Sequence, residues 1–145
     1  MAKMKNVSIE AKLDDRFKVE VKAGSHTLYV DQPTTGGGTD AGPNPIECLF
    51  TALAGCIATT ARIIAIQSRY KLNGMKMKVE GTFDQETILG KSKENRAGVE
   101  EIKVTLDIDA DMTKEEKDAF VHHIETRCPI SDNIGNITPI KIEIS

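Results

Sequence analysis

The chain has 145 residues, of which 39% are hydrophobic and 28% charged, and carries a net charge of −3. That size fits one domain with a sizeable core, so residues 1–145 read as a single domain. The slightly acidic balance gives no electrostatic reason to expect nucleic acid or an anionic membrane as partner.

The core must be built from Ile, Val, Leu, Met and Ala, because there are only four Phe, two Tyr and no Trp. The opening Met1-Ala-Lys-Met-Lys-Asn6 lacks the continuous apolar run of a signal peptide, and a cytoplasmic location is the expectation. In a reducing compartment the three cysteines would be free thiols, metal ligands or catalytic groups, not a structural framework.

Residues 5–31 read as strands. Phe17, Val19 and Val21 alternate with Lys18, Glu20 and Lys22, Gly24-Ser25 turns the chain, and His26–Val30 returns. The Gly- and Thr-rich stretch 33–43 reads as a flexible loop.

A strong helix start follows. Asn44 can cap, Pro45 suits the first helical position, and Glu47 completes a capping box. The helix is expected to reach about Ser68. Its apolar residues cover most faces, which predicts a central helix buried on several sides. Thr51, Thr59, Thr60, Arg62 and Gln67 argue against a membrane span, although the length alone permits one.

Asn73-Gly74 reads as a turn, and Met75, Met77 and Val79 begin an alternating strand. Residues 84–99 form a polar hairpin loop. Ile102, Val104, Leu106 and Ile108 give another strand. Thr113 and Glu116 form a capping box that opens a helix to about Thr126, a short helical turn starts at Pro129, and Ile137–Ile144 is a last strand. The order βββ-α-ββ-α-β predicts an α+β fold, with antiparallel sheet curved around one buried helix.

Cys56 follows Gly55 in the middle of the long helix, where an isolated thiol is ordinarily core packing. There the helix dipole offers little, so activating Cys56 needs a cation from elsewhere. Cys128 precedes Pro129; if Pro129 opens a helix, backbone N–H groups favour a Cys128 thiolate and make it the more acidic thiol. Arg127 adds positive charge beside it in sequence.

Cys48 is offset from Cys56 by about 80° and about 12 Å on an ideal helix, too far for a disulfide, and reads as packing. His122 or His123 with Cys128 would make a nucleophilic pair of hydrolase type, or simply place cations near a helix end. Zinc spacing is lacking, and Met112 stands where a calcium loop needs Gly, so the residues suggest no metal or cofactor.

Taken together, Asn44-Pro45, ten residues and then Cys56, an Ala/Gly-rich helix, and Cys128-Pro129 a further 72 residues on resemble the OsmC/Ohr family. The resemblance spans nearly the whole chain. It implies antiparallel sheets wrapped around a long buried helix and an intertwined homodimer with its active sites at the subunit interface. It also implies thiol-dependent reduction of organic hydroperoxides. By the same resemblance Cys56 is the peroxidatic and Cys128 the resolving cysteine, joined in turnover by a disulfide.

Arg16 matches the family's thiolate-stabilising arginine, and the reductant would be a lipoyl protein or a small dithiol. Hydroperoxide-resistance members place a Glu ten residues before the reactive cysteine; here Ile46 stands there and Glu47 follows it. On an ideal helix Glu47 points about 180° from Cys56, which favours its capping role unless a dimer brings the two together. The Pro-Ile-Glu spelling resembles the broader OsmC-like branch. A non-catalytic redox sensor or binder of a small apolar ligand is therefore the alternative.

Overall fold

Alternation in the first thirty residues produces a three-stranded antiparallel meander. In the computed structural model, which describes residues 1–145, it comprises β1 (Glu10–Leu13), β2 (Val19–Ala23) and β3 (His26–Val30). Val21 pairs with Ala11 on one side and Leu28 on the other. Gly24, at φ 60°, supplies the left-handed residue the β2–β3 turn requires. The chain groups into two compact units, Met1–Thr51 and Ala52–Ser145.

The stretch expected to be a flexible loop is tethered instead. Asp31, almost wholly buried, accepts hydrogen bonds from the N–H groups of Gln32, Thr39 and Ala41 and from the Thr39 hydroxyl. A 3-10 turn spans Thr34–Gly36. The backbone closes so tightly that a Cβ on Gly38 or Gly42 would strike the carbonyl of Gln32 or Tyr29.

The long helix, α1 (Pro45–Ser68), begins where the capping residues place it. It ends on Arg69, left-handed at φ 59°. The Tyr70 N–H reaches the Ala65 carbonyl at 2.9 Å and the Arg69 N–H reaches that of Ile66 at 3.3 Å, the paired bonds of a Schellman cap.

In the second unit β4 (Leu72–Gly81) pairs antiparallel with β5 (Ile102–Ala110). Asn73-Gly74 is not the expected turn: β4 already starts at Leu72, and the register shifts between Leu72 and Gly74. The polar hairpin loop contains a one-turn helix, α2 (Gln85–Ile88), capped by Asp84. Thr113 and Glu116 close their capping box and open α3 (Lys114–Arg127), and α4 (Pro129–Gly135) follows at once.

Leu53, Ile57, Ala61, Ile64 and Ala65 recur at helical spacing on one face of α1 and form a core with Leu72, Ile108, Phe120, Ile124 and Cys128. Met75, Met77, Val79, Val104 and Leu106 pack against that cluster from the inner face of the hairpin. Each fully buried Leu, Ile or Phe stabilises the fold by about 1.5–3 kcal/mol.

The architecture is α+β, with two corrections to the sequence reading. First, α1 is buried on one face only: Ile63 and Ile66, on another, are 43% and 69% exposed. Second, the strand expected over Ile137–Ile144 is absent from this chain, and its four isoleucines are 85–99% exposed. A strand needs a neighbour for its backbone hydrogen bonds, and the single chain supplies none there.

Candidate redox site

Helix α1 carries Cys56 at the flank of its buried face, between core residues such as Leu53 and Ile57, and leaves it half-buried. Cys128 occupies the junction of α3 and α4. There it closes one helix, with its N–H donating to the Ile124 carbonyl at 3.0 Å, and caps the next. Pro129 at the first position of α4 presets the helical φ, which fixes the angle of the junction. The Ser131 N–H donates to the Cys128 sulfur at 3.4 Å.

These two placements bring the sulfurs of Cys56 and Cys128 to 2.9 Å, with the Cys128 thiol donating to Cys56. Both cysteines are free thiols. A disulfide holds its sulfurs about 2.05 Å apart, so roughly 1 Å of approach separates this pair from a covalent bond.

The capping position of Cys128 does not lower its pKa. Its pKa is raised, first by burial and then by the hydrogen bond it gives to Cys56; the N–H groups of Ser131 and Ile130 oppose this but do not outweigh it. Sequence shows the amides but not the burial, which leaves Cys128 only 1% exposed.

Beside Cys56 an open pocket of about 360 Å³ is lined by Gly55, Thr59, Thr60, Ile63, Arg127 and Pro129. Thr59, Thr60 and Ile63 follow Cys56 by three, four and seven positions, so the helical period alone puts them on its side of α1. The sequence reading weighs Thr59 and Thr60 only against a membrane span and does not single out Ile63. Arg127, in the last turn of α3, makes no ion pair or side-chain hydrogen bond within the chain.

The other sequence candidates make local contacts. Arg16 donates to the Gly37 carbonyl at 2.8 Å, within the first unit. Glu47 accepts from the Asn44 N–H at 3.0 Å while its own N–H reaches the Asn44 side chain at 2.8 Å, a complete capping box. Cys48 is partly buried, and burial followed by the nearby Glu47 charge raises its pKa. His122 and His123 are exposed on α3, and neither hydrogen-bonds Cys128. Asp31, the organiser of the loop before α1, went unnoticed because one acidic residue before a Pro-containing loop carries no distinctive pattern.

The chain also resembles known proteins. The chain is 23% identical over 141 residues to a hydroperoxide reductase of Mycoplasma genitalium, covering 97% of this chain and 95% of that one. It is 24% identical over 107 residues to one of Mycoplasma pneumoniae, covering 74% and 72%. Its fold is similar to the crystal structure of an OsmC-like protein from Mycoplasma pneumoniae, with a TM-score of 0.79, 22% identity, and coverage of 92% and 89%. An organic hydroperoxide resistance protein from Legionella pneumophila aligns with a TM-score of 0.64 at 21% identity, covering 92% and 91%. The family model for OsmC-like proteins matches residues 36–143, and the chain belongs to that family.

Proposed function

We propose that the protein is a thiol-dependent peroxidase that reduces organic hydroperoxides. The observation that carries this reading is the 2.9 Å contact between Cys56 and Cys128 beside a pocket that opens on Cys56. The Cys56 thiolate attacks the O–O bond, taking one oxygen as a sulfenic acid while the other departs and is protonated to the alcohol. The Cys128 sulfur then attacks Cys56, its proton leaves with the hydroxyl as water, and a disulfide remains. A dithiol reductant, either a lipoyl protein or a small molecule, returns both thiols. The hydroperoxide reductases among its relatives support the peroxide-related role.

By the family resemblance Arg16 is the proposed thiolate-stabilising cation, and Glu47, whose bonds in this chain are those of a capping box, would join it only through contact across a dimer. A homodimer would cover the exposed Ile63 and Ile66 of α1 and the isoleucines of the C-terminal segment. The location proposed is the cytoplasm, where a dithiol pool keeps the pair reduced.

Peroxide consumption with excess dithiol, on wild type and Cys56→Ser, tests the reading. Wild type should turn over cumene hydroperoxide and Cys56→Ser should not; equal rates would end the proposal. The open pocket also suits a non-catalytic binder of a small apolar ligand. A Cys56–Cys128 disulfide that forms without turnover would favour that second reading.

A further inference from the structure

The O–O cleavage proposed above leaves a problem of charge. As the sulfur takes one oxygen, the other departs as an alkoxide, a strongly basic anion, and the pocket's side chains must hold that charge until a proton arrives. Thr59 and Thr60 are neutral, and Gly55, Ile63 and Pro129 offer no side-chain donor. Arg127 is the one cation lining the pocket. It is joined directly to Cys128, so the α3–α4 junction that sets the resolving sulfur also sets Arg127.

We propose that Arg127 is a catalytic residue that donates hydrogen bonds to the departing oxygen as the O–O bond breaks. This inference rests on the peroxidase reading. The electron pair of the Cys56 thiolate forms the S–O bond, and the O–O pair leaves with the distal oxygen. That oxygen is stabilised by the guanidinium and protonated by water to give the alcohol. Arg127 keeps its proton throughout, as a guanidinium does in proteins, so it acts by charge and hydrogen bonding and not as an acid. Its lack of any partner in the chain leaves its donors free for this role. The task differs from that of Arg16, which would favour the thiolate before reaction.

Two reactions of the same sulfur separate these roles. Oxidation of Cys56 by cumene hydroperoxide breaks an O–O bond, whereas alkylation by iodoacetamide requires only the thiolate. Both are followed on the full chain under single-turnover conditions, with the Cys56 peptide quantified by mass spectrometry so that Cys48 does not contribute. Removing one preorganised donor from a developing oxyanion costs about a hundredfold or more in rate. Arg127→Gln should therefore slow oxidation by about a hundredfold and leave alkylation unchanged, and Arg127→Lys should recover part of the loss. Oxidation at the wild-type rate in Arg127→Gln overturns the inference, as does an equal slowing of both reactions. A fold defect in Arg127→Gln leaves the comparison to Arg127→Lys, whose oxidation must still fall more than its alkylation. A wild-type protein that cumene hydroperoxide does not oxidise overturns the peroxidase reading itself, and this inference with it.

Discussion

The Cys128 thiol donates its hydrogen to the Cys56 sulfur at 2.9 Å, across 72 positions of sequence. Burial divides the labour: it holds Cys128 in its protonated form, while Cys56 borders the pocket. Cys56 is the thiol a pocket ligand meets, and Cys128 is the thiol nearest to whatever Cys56 becomes.

In the proposed cycle, removing Cys128 should stop turnover after its first step. In Cys128→Ser about one equivalent of hydroperoxide per chain should be consumed, leaving a Cys56 sulfenic acid. Trapping with dimedone and intact-protein mass spectrometry would detect the adduct. Wild type under the same conditions should show an internal disulfide instead, read as a loss of two hydrogens.

The raised Cys128 pKa also predicts a limit of stability on the alkaline side. The folded protein holds this thiol neutral above the point at which the unfolded chain ionises it, near the ordinary value of 9.0. The stabilisation is therefore complete below that pH and is lost as pH rises through the higher folded value. Urea unfolding midpoints should fall above pH about 9, and Cys128→Ala should flatten that part of the profile, allowing for other alkaline groups.

Asp31 sets the opposite, acidic limit. Hydrogen bonds, first from the Thr39 hydroxyl and then from backbone N–H groups, hold its carboxyl at about 2 against an ordinary 3.8, despite the opposing effect of burial. Its contribution is present above the ordinary value and disappears as pH falls through the folded one. Thermal unfolding should show a loss of stability over that interval in wild type. Asp31→Asn should be less stable near neutral pH and less sensitive to acid across the same interval, because Asn cannot supply the ionised acceptor.

The sequence is most legible where structure is locally encoded. Asn44, Pro45 and Glu47 start α1, and Thr113 with Glu116 starts α3, because each cap is satisfied within four residues. Period-2 alternation places the hairpin for the same reason. The end of α1 falls at Ser68 as expected, although the left-handed position after it carries Arg69 and not Gly or Asn. The acidity of Cys128 was misjudged because its amides are near in sequence while the core that buries it comes from α1 and the hairpin. Alternation over Ile137–Ile144 records a tendency to pair, but pairing depends on a strand that this chain does not provide.

Core substitutions should show where the second unit draws its stability. Phe120 is 2% exposed and meets Tyr70 edge-to-face with ring centroids 6.0 Å apart. Phe120→Ala deletes that contact and opens a cavity beside Ile124, so it should cost about 3–5 kcal/mol. Equilibrium urea unfolding measures the change. Tyr70→Leu keeps apolar volume against the ring and should cost less than Phe120→Ala.

The proposed homodimer supplies a last and separable prediction. Ile63 and Ile66 on α1, together with Ile140 and Ile142 near the C-terminus, are exposed in one chain despite their apolar side chains. If a second copy buries them, a charge at Ile63 or Ile142 must be desolvated on association. A penalty of about 3 kcal/mol corresponds to a dissociation constant raised by roughly a hundredfold. Sedimentation velocity across a dilution series should show wild type as a dimer, with Ile63→Glu and Ile142→Glu shifted toward monomer. Glu143→Lys, which leaves every isoleucine in place, serves as the comparison for a charge change alone. A monomeric wild type at all concentrations would remove the dimer, while the Cys56–Cys128 contact, made within one chain, would stand unchanged.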